Sequence, residues 1–200
     1  MGRRTLEIKP LIKARLSTDG RIKDVRADHV ARYRWAARRA GGVVIDAGCN
    51  CGYGSAILAD ATRRVIAIDN WPEGLEFAKQ TWYRPNITWL EIDLENPNLF
   101  LLPVSAVVAF EIIEHLEDPI PLLWAARQTA DTLFASVPNE DVWPWEERLG
   151  PVHKRHYTKA DFADLLKDTG WRVGRWWGQK DGYSPVEPGV NGRTLVVECH

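Results

Sequence analysis

Carboxylate and amide side chains follow successive apolar runs in this sequence. Asp46, Asp69, Asp93, Glu111 and Asn139 each stand at the end of such a run, and all but Asn139 are acidic. Short apolar runs between turn signals are typical of strands that are covered on both faces of a parallel sheet. The carboxyl ends of parallel strands share one edge, where open α/β sheets bind their ligands. The ordered set therefore predicts a polar ligand site in which carboxylates accept hydrogen bonds from hydroxyl or amino groups.

The loop after the first run is rich in glycine and reads DAGCNCGYG over residues 46–54. Gly48, Gly52 and Gly54 let the backbone pass close to a ligand and turn tightly into the next helix. Their spacing differs from the G-x-G-x-x-G of dinucleotide sites, and the lysine of an ATP-binding G-x-x-x-x-G-K-[ST] loop is absent, which argues against both ligands. Asp69 lies 21 residues after Gly48, where its carboxylate can accept hydrogen bonds from both hydroxyls of a ribose.

The sequence alternates between predicted strands and predicted helices, and these elements place the polar residues named above. Gly41 and Gly42 end the first predicted helix, and no helix separates the last two strands, which suggests an antiparallel edge. The predicted fold class is α/β, a mostly parallel sheet with helices on both faces. The predicted helices cover 21–40, 55–62, 73–82, 119–131 and 159–169, and the predicted strands cover 43–45, 64–68, 87–92, 106–110, 132–137, 171–177 and 193–199.

Several motifs together resemble the S-adenosylmethionine (SAM) site of class I methyltransferases. They are the glycine loop, Asp69 and the Ile-Asp93-Leu segment. The segments EIIEHLEDP (111–119), SVPN (136–139) and HKRHYT (153–158) resemble the branch that includes the ubiquinone-pathway O-methyltransferases. Any one of these motifs is common in proteins, but their combination is specific.

The likeness covers about residues 22–200 and implies a Rossmann-like α/β fold with a seven-stranded, mostly parallel sheet and an antiparallel C-terminal edge strand. The usual loop motif has glycine where this chain has Asn50, a variation that leaves the cofactor assignment intact. A single domain is expected, in which residues 1–40 form a basic segment and a lid helix and residues 41–200 form the SAM-binding core.

The resemblance also implies a cofactor site. Asp69 would hold the ribose, Asp93 would accept a hydrogen bond from the adenine amino group, and Glu111 would lie beside the transferred methyl. The positive sulfonium suits an acidic, aromatic-lined pocket. The implied cofactor residues are Tyr33, Asp46, Gly48, Cys49, Asn50, Gly52, Gly54, Asp69, Asn70, Trp71, Asp93, Leu94 and Glu111.

Methyl transfer to oxygen needs a deprotonated nucleophile, which a base or a cation can provide. Glu111 and His115 are the candidate catalytic residues, with His115 as a general base near neutral pH. Two carboxylates and an imidazole could instead hold Mg²⁺, as some relatives do with the same E-x-x-E-H, and His153 or His156 could complete that set. A third interpretation is that Glu114 and His115 only orient the loop. The possible metal ligands are Glu111, Glu114, His115 and His156.

Composition excludes several classes of protein. The chain has 200 residues, of which 45% are hydrophobic and 26% are charged, and these ordinary globular values exclude disordered and collagen-like proteins. Its three cysteines are too few for a secreted disulfide framework, which favours a cytoplasmic location. No apolar run approaches the roughly 18 residues of a membrane span, and the N-terminus lacks a signal-peptide core.

Charge is distributed unevenly along the chain. Residues 1–40 contain twelve Lys or Arg and four Asp or Glu, whereas the whole chain has a net charge of −1. A solvated helix face explains such a segment, but so does a nucleic-acid partner. A small-molecule acceptor is the favoured partner, because the amino-methylating signature D/N-P-P-Y/F is missing and no target-recognition domain is apparent. A SAM-binding protein without catalytic activity is the remaining alternative.

Overall fold

The computed structural model of the protein describes residues 22, 25–97, 103–147 and 153–200. Most of the predicted basic segment, residues 1–21, lies outside the described residues. Within them the helices are α1 (Ala27–Ala37), α2 (Tyr53–Ala59), α3 (Pro72–Thr81), α4 (Ile120–Thr129) and α5 (Lys159–Asp168), and the strands are β1 (Val43–Ala47), β2 (Arg64–Asp69), β3 (Ile87–Glu91), β4 (Val104–Phe110), β5 (Ala130–Pro138), β6 (Val173–Gln179), β7 (Glu187–Pro188) and β8 (Thr194–Cys199).

The strands form one mixed sheet in the order β3-β2-β1-β4-β5-β8-β6-β7. Strands β1 to β5 are parallel to one another, and β8 is antiparallel to both β5 and β6. The chain moves outward from β1 through β2 to β3 and then returns to the other side of β1 with β4. The carboxyl ends of β1 and β4 are thus neighbours at the point where the strand order reverses, which is where ligands bind in this class of sheet.

The α/β class and the mostly parallel sheet are confirmed, and the C-terminal end differs in detail. An eighth strand, β7, has two residues and pairs with Trp177 and Gly178 of β6. The C-terminal strand is antiparallel as predicted, but it lies between β5 and β6 instead of at an edge. Leu195, Val196 and Val197 are all buried, and a strand that is apolar on both faces gains most from an internal position.

Helices cover both faces of the sheet. On one face, α1, α2 and α3 bury Trp35, Leu58 and Leu75 against the strands. On the other face, α4 and α5 bury residues that include Leu122 and Phe162. The start of α5 is fixed by local chemistry as well as by packing, because Thr158 forms a capping box with Asp161.

No helix in the part of the chain that the structure describes has both the length and the apolar character needed to cross a lipid bilayer.

Candidate active site

The glycine loop makes repeated left-handed turns directly after β1. Gly48 has a φ of +78° and Asn50 a φ of +49°. Asparagine is among the few non-glycine residues that adopt this conformation readily, and the Asn50 Oδ1 atom accepts a hydrogen bond of 2.8 Å from the Cys51 N–H. These two facts explain physically how Asn50 replaces the usual glycine without changing the course of the loop.

Two glycines are required here by close packing. A Cβ at Gly48 would lie 2.7 Å from the side chain of Ile112, so the loop packs directly against the residues that follow β4. A Cβ at Gly54 would overlap the ring of Tyr33. Helix α1 therefore approaches the start of α2 as closely as it does only because residue 54 has no side chain.

Asp69 connects the ends of three strands. Its carboxylate accepts hydrogen bonds from the Asn50 N–H at 2.6 Å and from the Trp71 N–H at 3.1 Å. Its main-chain carbonyl accepts another at 2.9 Å from Ile92, immediately before Asp93. Burial raises the pKa of Asp69, and the backbone N–H donors, chiefly that of Asn50, oppose this rise. The glycine loop, Asp69 and the Asp93 segment are thus contiguous.

The remaining residues expected at the adenosine end lie around this junction. Asp93 is exposed, and its carboxylate accepts a hydrogen bond of 3.0 Å from the Glu95 N–H. Leu94 is buried, Asn70 is exposed and Trp71 is half-buried. The carboxyl ends of β2 and β3 therefore present polar groups beside an apolar contact surface.

Asp46 is fully buried behind the glycine loop. Its carboxylate accepts hydrogen bonds from the Tyr33 hydroxyl at 3.0 Å and from the Ser55 hydroxyl at 2.6 Å. Burial raises the pKa of Asp46 to about 7, although both hydroxyls oppose the rise and the nearby Asp69 adds to it. Ser55 was not among the site residues predicted from the sequence. Its place in the first turn of α2, directly after the glycine loop, is the feature that could have indicated it.

Tyr33 and Cys49 are also buried in this region. The Tyr33 ring meets Tyr53 and Phe110 edge-on, with centroid distances of 5.6 and 5.3 Å. Burial raises the pKa of the Cys49 thiol well above its ordinary value, which makes it a poor nucleophile. The structure places Tyr33 against Asp46 and makes Cys49 a packing residue of the loop.

Glu111 follows β4 with a φ of +52°, a conformation that few side chains adopt without strain. Its Oε1 atom accepts a hydrogen bond of 3.0 Å from the Ser136 hydroxyl of β5. Its Oε2 atom lies 4.0 Å from the guanidinium of Arg32 on α1. Sequence reasoning did not assign Ser136 or Arg32 to the site, because neither stands at the end of a strand.

A second group of chemistry-bearing side chains lies beyond Glu111. Glu114, His115 and His153 each place one oxygen or nitrogen atom within 4.8 Å of the others. The rings of His115 and His153 meet edge-on with centroids 4.7 Å apart. The Lys154 and Arg155 N–H groups donate hydrogen bonds of 2.8 and 3.1 Å to the Glu114 carbonyl, and these bonds bring His153 beside the turn that follows β4.

This group differs from the set of possible metal ligands predicted from the sequence. Glu111 and His156 are not among the residues whose ligand atoms come together. The Glu111 carboxylate is hydrogen-bonded to Ser136, and the His156 ring stacks on Trp145 with centroids 4.4 Å apart. The same Trp145 ring also contacts the His153 ring, with centroids 5.2 Å apart. His153 is the histidine that joins Glu114 and His115. Two imidazoles and one carboxylate suit a borderline transition-metal ion better than Mg²⁺, which prefers oxygen ligands.

Stability is expected to depend on the protonation of Asp46. The raised pKa means that the folded state holds a proton that the unfolded state has lost between about pH 4 and pH 7. This contribution to the free energy of unfolding therefore falls as the pH rises through that range, by up to about 1.4 kcal/mol per pH unit. We expect Asp46→Asn to remove it, which urea denaturation of both proteins from pH 5 to pH 8 would detect. Parallel pH profiles for the two proteins would contradict the assignment.

Comparison with known sequences identifies the domain. Residues 44–130 match a family model described as a methyltransferase domain. A Mycolicibacterium smegmatis protein, named a probable S-adenosylmethionine-dependent methyltransferase, is 32% identical over 158 residues, which cover 74% of this chain and 59% of that protein. The chain thus spans somewhat more than half the length of this relative.

Two solved structures show the same fold at low sequence identity. A TehB-like SAM-dependent methyltransferase from Corynebacterium glutamicum matches with a TM-score of 0.65 and 18% identity, over 88% of this chain and 89% of that one. The small RNA methyltransferase HEN1 matches with a TM-score of 0.72 and 17% identity, over 86% of this chain and 25% of that one. These likenesses agree with the glycine loop and the strand-end carboxylates, and the chain therefore contains a methyltransferase domain with the fold of class I S-adenosylmethionine-dependent enzymes.

Proposed function

We propose that this chain binds SAM at the carboxyl ends of β1, β2 and β4 and transfers its methyl group to an oxygen or nitrogen atom of a small or medium-sized acceptor. The observation that carries the proposal is the junction at Asp69. One carboxylate contacts the glycine loop through Asn50, and its own main chain is hydrogen-bonded to Ile92 beside Asp93. The elements expected to grip an adenosine thus adjoin one another.

The residues at this edge fit such a donor. Asp69 would take the ribose hydroxyls, the exposed Asp93 carboxylate would take the adenine amino group, and the Leu94 N–H would face the adenine ring. The glycine loop approaches the residues after β4 so closely that a Cβ at Gly48 would displace Ile112. The loop after β1 and the segment after β4 are therefore in direct contact at the edge of the sheet where the donor would bind.

Methyl transfer requires that the protein position the donor and the acceptor and that it provide a proton acceptor. The donor supplies a methyl group on a positively charged sulfur, and the acceptor lone pair forms the new bond to that carbon as the carbon–sulfur electron pair returns to sulfur. This chain must align the acceptor with the methyl group and remove its proton. His115, half-buried beside His153, is the proposed base, because an imidazole exchanges protons near neutral pH.

Loss of the Asp69 carboxylate should weaken cofactor binding. We expect Asp69→Asn to reduce the affinity for S-adenosylhomocysteine by about tenfold or more, because one oxygen that accepts from a ribose hydroxyl becomes a donor. Isothermal titration calorimetry measures the change. Asp164→Asn, an exposed change on α5, is the matched control. A folded wild-type protein that binds neither SAM nor S-adenosylhomocysteine would refute the proposed function, and equal affinity in Asp69→Asn would refute the role of Asp69.

A bound metal ion is the alternative to His115 as the base, because an imidazole nitrogen that holds an ion cannot also accept a proton. Glu114, His115 and His153 would hold it, and it would help to deprotonate a coordinated acceptor hydroxyl. Two nitrogen ligands favour ions such as Zn²⁺ over Mg²⁺, and no relative compared above is named for a metal requirement.

Metal binding should depend on His153 and not on His156. We expect calorimetry to show Zn²⁺ binding to the wild-type protein that His115→Ala or His153→Ala weakens about tenfold or more. His156→Ala is the control of the same chemistry, because His156 stacks on Trp145 outside the group. Binding that is absent in the wild-type protein, or equal in all three variants, would show that these residues do not form a metal site.

A nucleic-acid acceptor is the second candidate. It is supported by the twelve Lys or Arg among residues 1–40, by the exposed Arg34 on α1 and by the exposed Arg38 directly after this helix. HEN1, which shares the fold, is named a small RNA methyltransferase.

The ubiquinone-pathway branch, the cytoplasmic location and the division into residues 1–40 and 41–200 also stay predictions.

Salt dependence separates the two kinds of acceptor. A nucleic-acid acceptor predicts that affinity for a single-stranded RNA falls steeply between about 50 and 200 mM salt, because bound counterions are released. Fluorescence anisotropy with Arg34→Glu and Arg38→Glu should then show weaker binding than with the charge-reversed control Arg127→Glu on α4. Absence of RNA binding at low salt would leave the small-molecule acceptor as the proposal.

A further inference from the structure

Arg32 is a cation buried in the middle of α1. It is 1% exposed, and its Nη1 atom donates hydrogen bonds to the Gln179 amide oxygen at 2.7 Å and to the Thr194 hydroxyl at 3.4 Å. Both partners are neutral, so they orient the guanidinium without balancing its charge. A buried cation is tolerated only where a nearby negative charge compensates for the water that it has lost.

Two carboxylates lie within ion-pair distance of this guanidinium. The Asp28 Oδ2 atom is 3.8 Å from Nη1, and the Glu111 Oε2 atom is 4.0 Å from Nη2. Asp28 is also bound by Arg26, which contacts its two oxygens at 3.1 and 2.7 Å. Its single charge is therefore shared by two arginines, and Glu111 is the counter-charge that Arg26 does not share.

Contacts on both oxygens hold the Glu111 carboxylate. The Ser136 hydroxyl donates to Oε1 at 3.0 Å, and Arg32 faces Oε2. The backbone at Glu111 is held as well, because its N–H donates to the Ser136 carbonyl at 3.1 Å and its φ is +52°. The Glu111 carboxylate, hydrogen-bonded at Oε1 and faced by a guanidinium at Oε2, is therefore held in one orientation.

The strand order gives this charge its place in the proposed cofactor site. Asp69 ends β2, the glycine loop ends β1, and Glu111 follows β4, so that the loop lies between the two carboxylates. Ile112, next to Glu111, packs against Gly48. If the ribose binds at Asp69, the rest of the donor must extend across the loop toward β4. Its positive sulfur then approaches Glu111.

We propose that Arg32 is a positioning residue that holds the Glu111 carboxylate toward the positive sulfur of the donor, so that the site prefers SAM to the neutral product S-adenosylhomocysteine. The inference rests on the proposed function. Helix α1 would then do more than close over the cofactor, because its Arg32 would fix the position of the Glu111 carboxylate after β4.

A double-mutant cycle tests the proposal through the ratio of SAM to S-adenosylhomocysteine affinity, measured by calorimetry. We expect Glu111→Gln to lower this preference about tenfold, because the charge that distinguishes the two molecules is gone. Arg32→Met should lower it in the same direction, because the carboxylate loses its position. The double variant should be no worse than Glu111→Gln alone, since both changes remove one effect.

Two further variants keep the test decisive. Ser136→Ala releases the other oxygen of Glu111 and should also lower the preference, which provides a result if Arg32→Met fails to fold. Arg39→Met removes the ion pair between the residues that follow α1 and Glu198 of β8, and it leaves every contact of Arg32 and Glu111 in place. It should leave the ratio of the two affinities unchanged.

The outcomes separate this proposal from the proposed function. If the folded wild-type protein binds neither molecule, the function itself is wrong. If the wild-type protein binds both, but Arg32→Met and Ser136→Ala weaken them equally or raise the preference for SAM, Arg32 is a structural residue and the positioning role is refuted.

Discussion

The hydrogen bond from the Asn50 N–H to the Asp69 carboxylate, 2.6 Å long, holds the end of β1 against the end of β2. The left-handed turns at Gly48 and Asn50 are what aim that N–H at the neighbouring strand. Because Asp69 also accepts from Trp71 and, through its carbonyl, from Ile92, one residue sets the spacing of three segments at this edge of the sheet.

Ionisable side chains are buried around this junction, and their burial costs free energy of folding. Asp46 is buried with two hydroxyl partners, and its pKa is raised to about 7. Arg32 is equally buried and is faced by Glu111, whose backbone is strained. Perturbed protonation and strain of this kind are concentrated at functional sites, where a ligand supplies the missing interactions. A cationic donor would fit the negative side of this arrangement.

The loops after β4 and β5 are tied together by main-chain bonds. The Glu114 carbonyl accepts from the N–H groups of Lys154 and Arg155. Asn139, at the end of β5, donates to the Asn191 side chain and to the Gly192 carbonyl, both at 2.9 Å. Asn139 therefore joins loops to one another and is not directed toward a ligand. The loops after β4 and β5 are thus held by contacts between residues far apart in the sequence.

The sequence by itself determined the strand ends, the glycine loop and the alternation of helices and strands, because apolar periodicity and turn chemistry act over a few neighbouring residues. It also indicated Asp69 and Asp93, since parallel strands bring their carboxyl ends to one edge whatever else the chain does. Only the tertiary structure decided that His153 joins His115 while His156 stacks on Trp145. It also decided that Arg32 faces Glu111, 79 residues further along the chain. Such contacts depend on how elements far apart in the sequence pack together and on which side chains become buried. A local sequence pattern shows neither.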